Sequence, residues 1–457
     1  MIGSRFVLLA LGLLLLASAC GASPTRQALA KGDVRSALAA YEGDPARELD
    51  DLKAIAAIVL IAEARAQDAT RSARALAMLR GMGQAADKAW AELERAPGDH
   101  RAELVRAHAL AWRSQQGDAR ARRELRAIAE DARQSEGRGL DLEVLALAIE
   151  TLDPERDVAA LHGWARSPSA SVRGAAIEKL AATPASTETR ALLVELARGE
   201  PDEAQRAQAI RALAAQGPSA WDSVDALARV TQPTASDPCR AAALATLARL
   251  DLTRAMPLLA AVLSDAPTML GVEVAHDVLV RAQQGQRADS LETTAEQQIL
   301  AALAAPKPDL RGRAASAALA VAAGPERTAL RAELLVRLGA ERDRRVHVLL
   351  ALALRGHPAG KQALEQLSLG RDVPAAQAAA ELAALRDDAA LPRLRELAKS
   401  EDASVRATAT AALASNYDFA AARRAASLEA LLDREPRVRA TTAGALLRAI
   451  ERLQAQL

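Results

Sequence analysis

The sequence predicts an all-α fold, a right-handed solenoid of stacked helical hairpins, and three observations carry that prediction. A short phrase recurs along the chain, alanine makes up roughly a quarter of it, and aromatic residues are only 2%. Self-similarity at a long, nearly fixed period marks an array in which every unit is one supersecondary element. Alanine is the best helix former, whereas strands need aromatic and β-branched residues to cover their pleated faces.

The phrase is SVRGAAIEKL at 171–180 and SVRATATAAL at 404–413, with variants at 205–213, 239–247 and 438–446. The position after its valine serves as a ruler: Arg173, Arg206, Arg240, Gly271, Arg311, Arg345, Ala375, Arg406 and Arg439. Steps along it are about 30–34 residues, with one of about 40, in the range of helical repeats. Aliphatic residues follow on one helical face, such as Ile177 with Leu180 and Leu244 with Leu247. Turn formers precede the units as N-caps and first-turn prolines: Pro168-Ser169, Pro201-Asp202, Asp237-Pro238, Pro308-Asp309, Asp402 and Glu435-Pro436. A second amphipathic run follows in each unit, as at Thr189–Arg198, Ala220–Val230, Thr328–Leu338, Gln362–Leu369 and Ala390–Lys399. A hairpin of that size cannot bury its apolar face alone, but stacked neighbours can.

The unit, read as Asp/Pro-x-x-Val-Arg-x-x-Ala-x-x-x-Leu, resembles a HEAT repeat in its short bacterial form. The resemblance implies that the arginine of each unit pairs with an acid near the hairpin turn, forming a ladder. Asp402 with Arg406 and Asp237 with Arg240 supply such residues, while Gly271 and Ala375 interrupt the pattern. It also implies a protein or peptide partner on a concave face built by the second helices, with no small-molecule substrate expected. Arg190, Glu195, Asp222, Asp225, Arg331, Glu333, Arg393 and Glu396 are the polar residues expected near that face.

Residues 1–19 read as a signal peptide: Arg5, an apolar stretch from Phe6 to Leu16, then Ala17-Ser18-Ala19 before Cys20. The stretch is too short for a membrane span and its flanks suit export. Cysteine directly after the small residues resembles a bacterial lipoprotein signal, which implies lipidation of Cys20 and attachment to a membrane through the new N-terminus. Ala22, where an aspartate would imply retention, implies the outer membrane facing the periplasm, so the protein is expected in the cell envelope. With Cys20 modified, Cys239 is the remaining thiol, which excludes an intramolecular disulfide. It stands at the valine position of its unit and is expected to be buried as a small hydrophobe.

Residues 20–160 read as diverged helical repeats, with helices expected at 71–80, 85–95, 101–114, 119–133 and 140–152, and a buried one at 54–62. Gly32-Asp33, Ala37-Leu38 and Tyr41 resemble half of a tetratricopeptide unit. Residues 161–457 form the HEAT-like solenoid, ending in a closing helix at Arg437–Gln456. Within the long step of the ruler, the polar run Gln283–Thr294 is expected as an extended loop between helices.

Chemistry finds little support. Lysine and arginine number 59 against 58 acids, without the basic stripe of a nucleic-acid binder. His100, His108, His162, His276, His347 and His357 are scattered, and the closest pair stands about 12 Å apart along a helix, too far to share an ion. Gly81–Ala86 lacks the strand that a dinucleotide loop requires, and Gly356–Lys361 has the wrong spacing for a phosphate loop. No catalytic, cofactor or metal residues are expected, and the reading is a non-catalytic scaffold. The alternative is a HEAT-like enzyme or accessory, resembling chromophore lyases or metal-dependent hydroxylases.

Overall fold

The computed structural model describes residues 23–456 apart from short stretches at 32, 45–48, 67, 81–85, 88–89, 91–92, 94–99, 135–141, 229–236, 287–288, 323–326, 388 and 416–426. Among the described residues every regular element is helical, as the alanine content and the periodicity require. The signal peptide and Cys20 lie outside them, as does most of the helix expected at 85–95.

Two compact units result: residues up to 105 together with 368 onward, and residues 106–367. The boundary expected near residue 160 concerns repeat type; the packing units divide elsewhere. The first unit opens with α1 (Pro24–Ala30), α2 (Val34–Gly43), α3 (Leu49–Ala64) and α4 (Ala69–Arg80). After α5 (His100–Gln115) the chain continues through α6 (Ala119–Gln134), α7 (Leu142–Ile149), α8 (Val158–Trp164), α9 (Ala170–Leu180) and α10 (Thr187–Gly199). Then come α11 (Glu203–Ala212), α12 (Trp221–Ala228), α13 (Asp237–Leu250), α14 (Leu252–Ser264), α15 (Met269–Gln283) and α16 (Asp289–Leu303). The second unit closes with α17 (Pro308–Val321), α18 (Thr328–Ala340), α19 (Arg344–Ala353) and α20 (Pro358–Ser368). The first unit resumes with α21 (Val373–Ala384), α22 (Ala390–Leu397), α23 (Ala403–Ser415) and α24 (Pro436–Gln454).

The helices start where side chains can satisfy their orphan N–H groups. Ser186, Asp202, Asp251, Thr268, Asp343 and Asp372 each accept a hydrogen bond from the first turn of the helix that follows. The ruler residues fall on α9, α11, α13, α15, α17, α19, α21, α23 and α24. Within the second unit, α7, α9, α11, α13, α15, α17 and α19 pack each on the next; within the first, α21 packs on α23 and α23 on α24. Alanine makes this row close: Ala314, Ala315 and Ala318 of α17 and Ala375, Ala376, Ala378 and Ala379 of α21 are fully buried. Larger side chains at these positions would push the helices apart.

Two expectations need correction. The polar run at 283–294 is not an extended loop: α15 continues to Gln283 and α16 begins at Asp289. Residues 290–294 have no proline or glycine to stop a helix, and Leu291 supplies a buried anchor. The helix expected to close the chain is present as α24, but it does not end the stack. The N-terminal helices α3 and α4 pack against it, and α3 is apolar nearly all round, with Leu52, Ile55, Ala56 and Leu60 fully buried. A helix of that character is stable only between neighbours on several sides. Asp51, 3% exposed, accepts hydrogen bonds from Ser23 Oγ (2.9 Å) and Arg26 Nε (2.7 Å), tying α1 to α3.

Candidate functional site

The arginine ladder exists, but its rungs run forward to the next repeat. Arg173 Nε and Nη2 grip Glu200 at 2.8 and 2.7 Å; Arg311 grips Glu341 at 2.8 and 3.0 Å; Arg406 grips Asp433 at 2.9 and 3.1 Å. The remaining Nη1 turns back to the unit's own turn, donating to the carbonyls of Ser167 and Pro168, of Ala305 and Pro306, or of Ser400 and Glu401. Each arginine stands four residues after an N-cap (Ser169 or Lys307, for example). Each acid stands two residues before the next one, where it also accepts the backbone N–H of that N-cap residue: Asp202, Asp343 or Glu435. One planar fork thereby joins two turns, a task that suits guanidinium and not ammonium.

This geometry overturns the pairing of Arg406 with Asp402. The Asp402 carboxylate instead accepts the N–H of Ser404 at 2.7 Å. The side chain of Asp237 lies outside the described residues, and Arg240 has a buried Nε without a hydrogen-bond partner. Counting from the N-caps also moves the ruler. Asp343 caps α19, so its ladder position is His347, and Arg345 is exposed. The positions equivalent to Gly271 and Ala375 become Val272 and Ala376, because Thr268 and Asp372 are the caps.

The interruption at α21 is repaired from the other helix of the hairpin. Arg393, on α22, donates to the carbonyls of Ser368 (2.6 Å), Leu369 (3.1 Å) and Gly370, in the turn before α21, of which a ladder arginine at 376 would share Gly370. Arg393, expected on the partner-binding face, is therefore part of the scaffold; it also pairs with Glu396.

The other residues expected on that face lie on or beside second helices, and most bridge neighbours. Glu195 of α10 pairs with Arg166 at 2.7 Å; Arg190 donates to Ser219 Oγ; Asp222 of α12 meets Arg254 of α14 at 3.3 Å. The guanidinium of Arg254 also lies 4.4 Å from the ring centroid of Trp221. Glu333 pairs with Arg337 within α18, Arg331 donates to the Ala322 carbonyl, and Asp225 is half-buried. The sequence did not reveal that these charges satisfy each other.

The concavity that sequence reasoning missed lies in the ruler-helix row. Between α13 and α15 the packing opens into a cavity of about 460 Å³. One wall is the small-residue stripe Ala241, Ala242 and Ala245, the floor includes Leu259 and Val274, and Met269 stands at the edge, 40% exposed. The opposite wall carries Glu273, His276 and Asp277. Arg313 holds Glu273 at 2.6 Å and Arg281 holds Asp277 at 2.6 Å. Burial, aided by the nearby Arg313, depresses the pKa of His276 below the ordinary imidazole value, against the pull of Glu273 and Asp277. Asp277 also lines an open cleft of about 760 Å³ with Arg249, Asp251, Arg281 and Gln286 at the turn end of the same helices.

Chemically, the cavity offers apolar surface beside two acids already paired with arginines, with the exposed Arg211 and the imidazole of His276 also in its lining. Among the described residues no group of three His, Cys, Asp or Glu side chains is placed to hold a metal. His162 is hydrogen-bonded to Thr189 Oγ1 at 3.0 Å, the side chain of His100 lies outside the described residues, and Cys239 is buried with its thiol 3.8 Å from the Glu203 carbonyl. Among the described residues no helix is long and apolar enough to cross a membrane.

No family model matches the chain, and no curated protein matches it. Among solved structures, the chain is similar to importin beta crystallised in an ammonium sulfate condition, with 12% sequence identity, a TM-score of 0.36, and coverage of 98% of this chain and 76% of that one.

Proposed function

We propose that the chain is a non-catalytic scaffold of the bacterial cell envelope, tethered to a membrane through lipidated Cys20, that holds a protein partner by apolar side chains seated between α13 and α15. The observation that carries the reading is the cavity itself: an alanine wall, an apolar floor and Met269 at its edge. A site that selected a small polar substrate would keep convergent polar groups unpaired. Glu273 and Asp277 are instead engaged by Arg313 and Arg281, so apolar contact is the main attraction, with Arg211 and His276 the polar groups left at the lining. One buried Leu- or Met-sized anchor is worth about 1.5–3 kcal/mol, so a useful affinity needs further contacts along the row. The C-terminal part of the leader supports the tether, and a multiply acylated cysteine holds a protein firmly at a bilayer.

A photo-crosslinker replacing Met269 in the full chain, expressed in its own envelope, tests the partner. A discrete adduct is expected that disappears when Ala245→Trp fills the cavity, while the same probe at exposed Val336 gives none. An adduct indifferent to Ala245→Trp removes the cavity from the reading. Cys20→Ala is expected to release the protein from membranes and abolish labelling by a fatty-acid probe. Stoichiometric iron or zinc in the purified protein would favour the enzyme reading instead.

A further inference from the structure

We propose that the apolar edge of the last repeat is an exchange interface, and that the α3–α4 hairpin which covers it is also supplied by a second copy of this chain. The contact between α24 and this hairpin is written in the inter-repeat code. Arg439 Nη1 serves the carbonyls of its own turn, Asp433 and Arg434, while Nε reaches the neighbouring acid, Glu63, at 2.8 Å. Arg173, Arg311 and Arg406 do the same with repeats that follow them in sequence. Here the neighbour is not the next hairpin: Glu63 lies 376 positions earlier. At the far end of α24, Gln454 Nε2 donates to Asp50 at 2.9 Å and fixes the register.

Every other rung joins repeats that a short connection holds together. No such connection joins α24 to α3, so nothing local in the chain specifies which copy provides the hairpin. The covered surfaces are strongly apolar: Leu446, Leu447 and Ile450 of α24 and Leu52, Ile55 and Leu60 of α3 are all buried. An edge of this kind left open associates with whatever matches it, and an identical hairpin from another copy matches it completely. Exchange of identical elements between two copies closes as a symmetric dimer, and the balance between one copy and two is set by effective against bulk concentration.

The test uses two full-length chains, both with Cys20→Ser and Cys239→Ser and each with its own affinity tag. One carries only Asp50→Cys, the other only Gln454→Cys; both positions are exposed, so folding is preserved. Co-expression followed by mild oxidation is expected to give a covalent heterodimer of twice the monomer mass, carrying both tags. Its absence at every concentration tried, while a chain with both substitutions closes an internal disulfide, overturns the proposal. A second measurement uses charge. Glu63→Arg and Arg439→Glu chains each place like charges at their own junction, and mutual exchange sets opposite charges across both junctions, while the Arg71 contact inside the hairpin stays broken in the Glu63→Arg chain. A 1:1 complex on co-expression is expected, and two separate monomers would contradict it.

Discussion

Glu63 accepts arginines from both ends of the chain: Arg439 on Oε1 at 2.8 Å and Arg71 on Oε2 at 3.0 Å, with its own side chain only 4% exposed. A carboxylate this buried is stable because both its oxygens are taken, and its removal takes the acid partner from two half-buried guanidinium groups.

Glu63→Ala is therefore expected to destabilise the first unit by about 1–3 kcal/mol, the range for losing charge-assisted hydrogen bonds whose remaining partners still reach solvent. Hydrogen exchange should rise first in 49–64 and 436–454. Protection unchanged in these helices would show that apolar packing alone holds them together.

Acid should loosen the ladder. Burial works to raise the Glu341 and Asp433 carboxyls, but the Arg311 and Arg406 guanidiniums and the backbone N–H groups outweigh it, and both are held below their ordinary values of 4.5 and 3.8. Groups with depressed folded pKa values stabilise above the unfolded value and lose that contribution as pH falls through the folded one. The melting temperature should accordingly stay level from pH 7 to about 5 and fall below about 4.5, with a shallower fall in Glu341→Gln and Asp433→Asn. An equally steep fall in both variants would place the acid sensitivity elsewhere.

Gly360→Ala should cost about 1–3 kcal/mol by overpacking. A Cβ at this position would stand 2.1 Å from the Leu354 carbonyl oxygen and 2.5 Å from its carbon, and backbone cannot swing aside as a side chain can. The glycine that imitates part of a phosphate loop in the sequence thus has a steric role. Thermal melting checks this.

Arg393→Ala strips the turn at 368–370 of its donor and should lower stability by about 2 kcal/mol. Arg393→Lys should recover less than half, since an ammonium cannot reach three carbonyls with a rigid fork. Full recovery by lysine would show that charge, not geometry, is what the turn needs.

The row of hairpins was legible because its cause is local: alanine, N-caps and aliphatic spacing act within each unit. The ladder was half legible. An arginine in a fixed place announced it, but the partner acid belongs to the next repeat, and the nearer Asp402 already serves as a cap. His347 escaped notice since a valine-arginine ruler cannot see the shift that Asp343 imposes on α19. The cavity between α13 and α15 depends on how far two helices separate, which no periodicity encodes. The junction of α24 with α3 was invisible for a simpler reason: Glu63 sits in a helix that reads as an ordinary buried segment, without the repeat phrase.

Arg393 has a consequence for how such a chain changes over generations. A turn that can be served from either helix of a hairpin passes safely through an intermediate bearing both arginines, after which either one is free to drift.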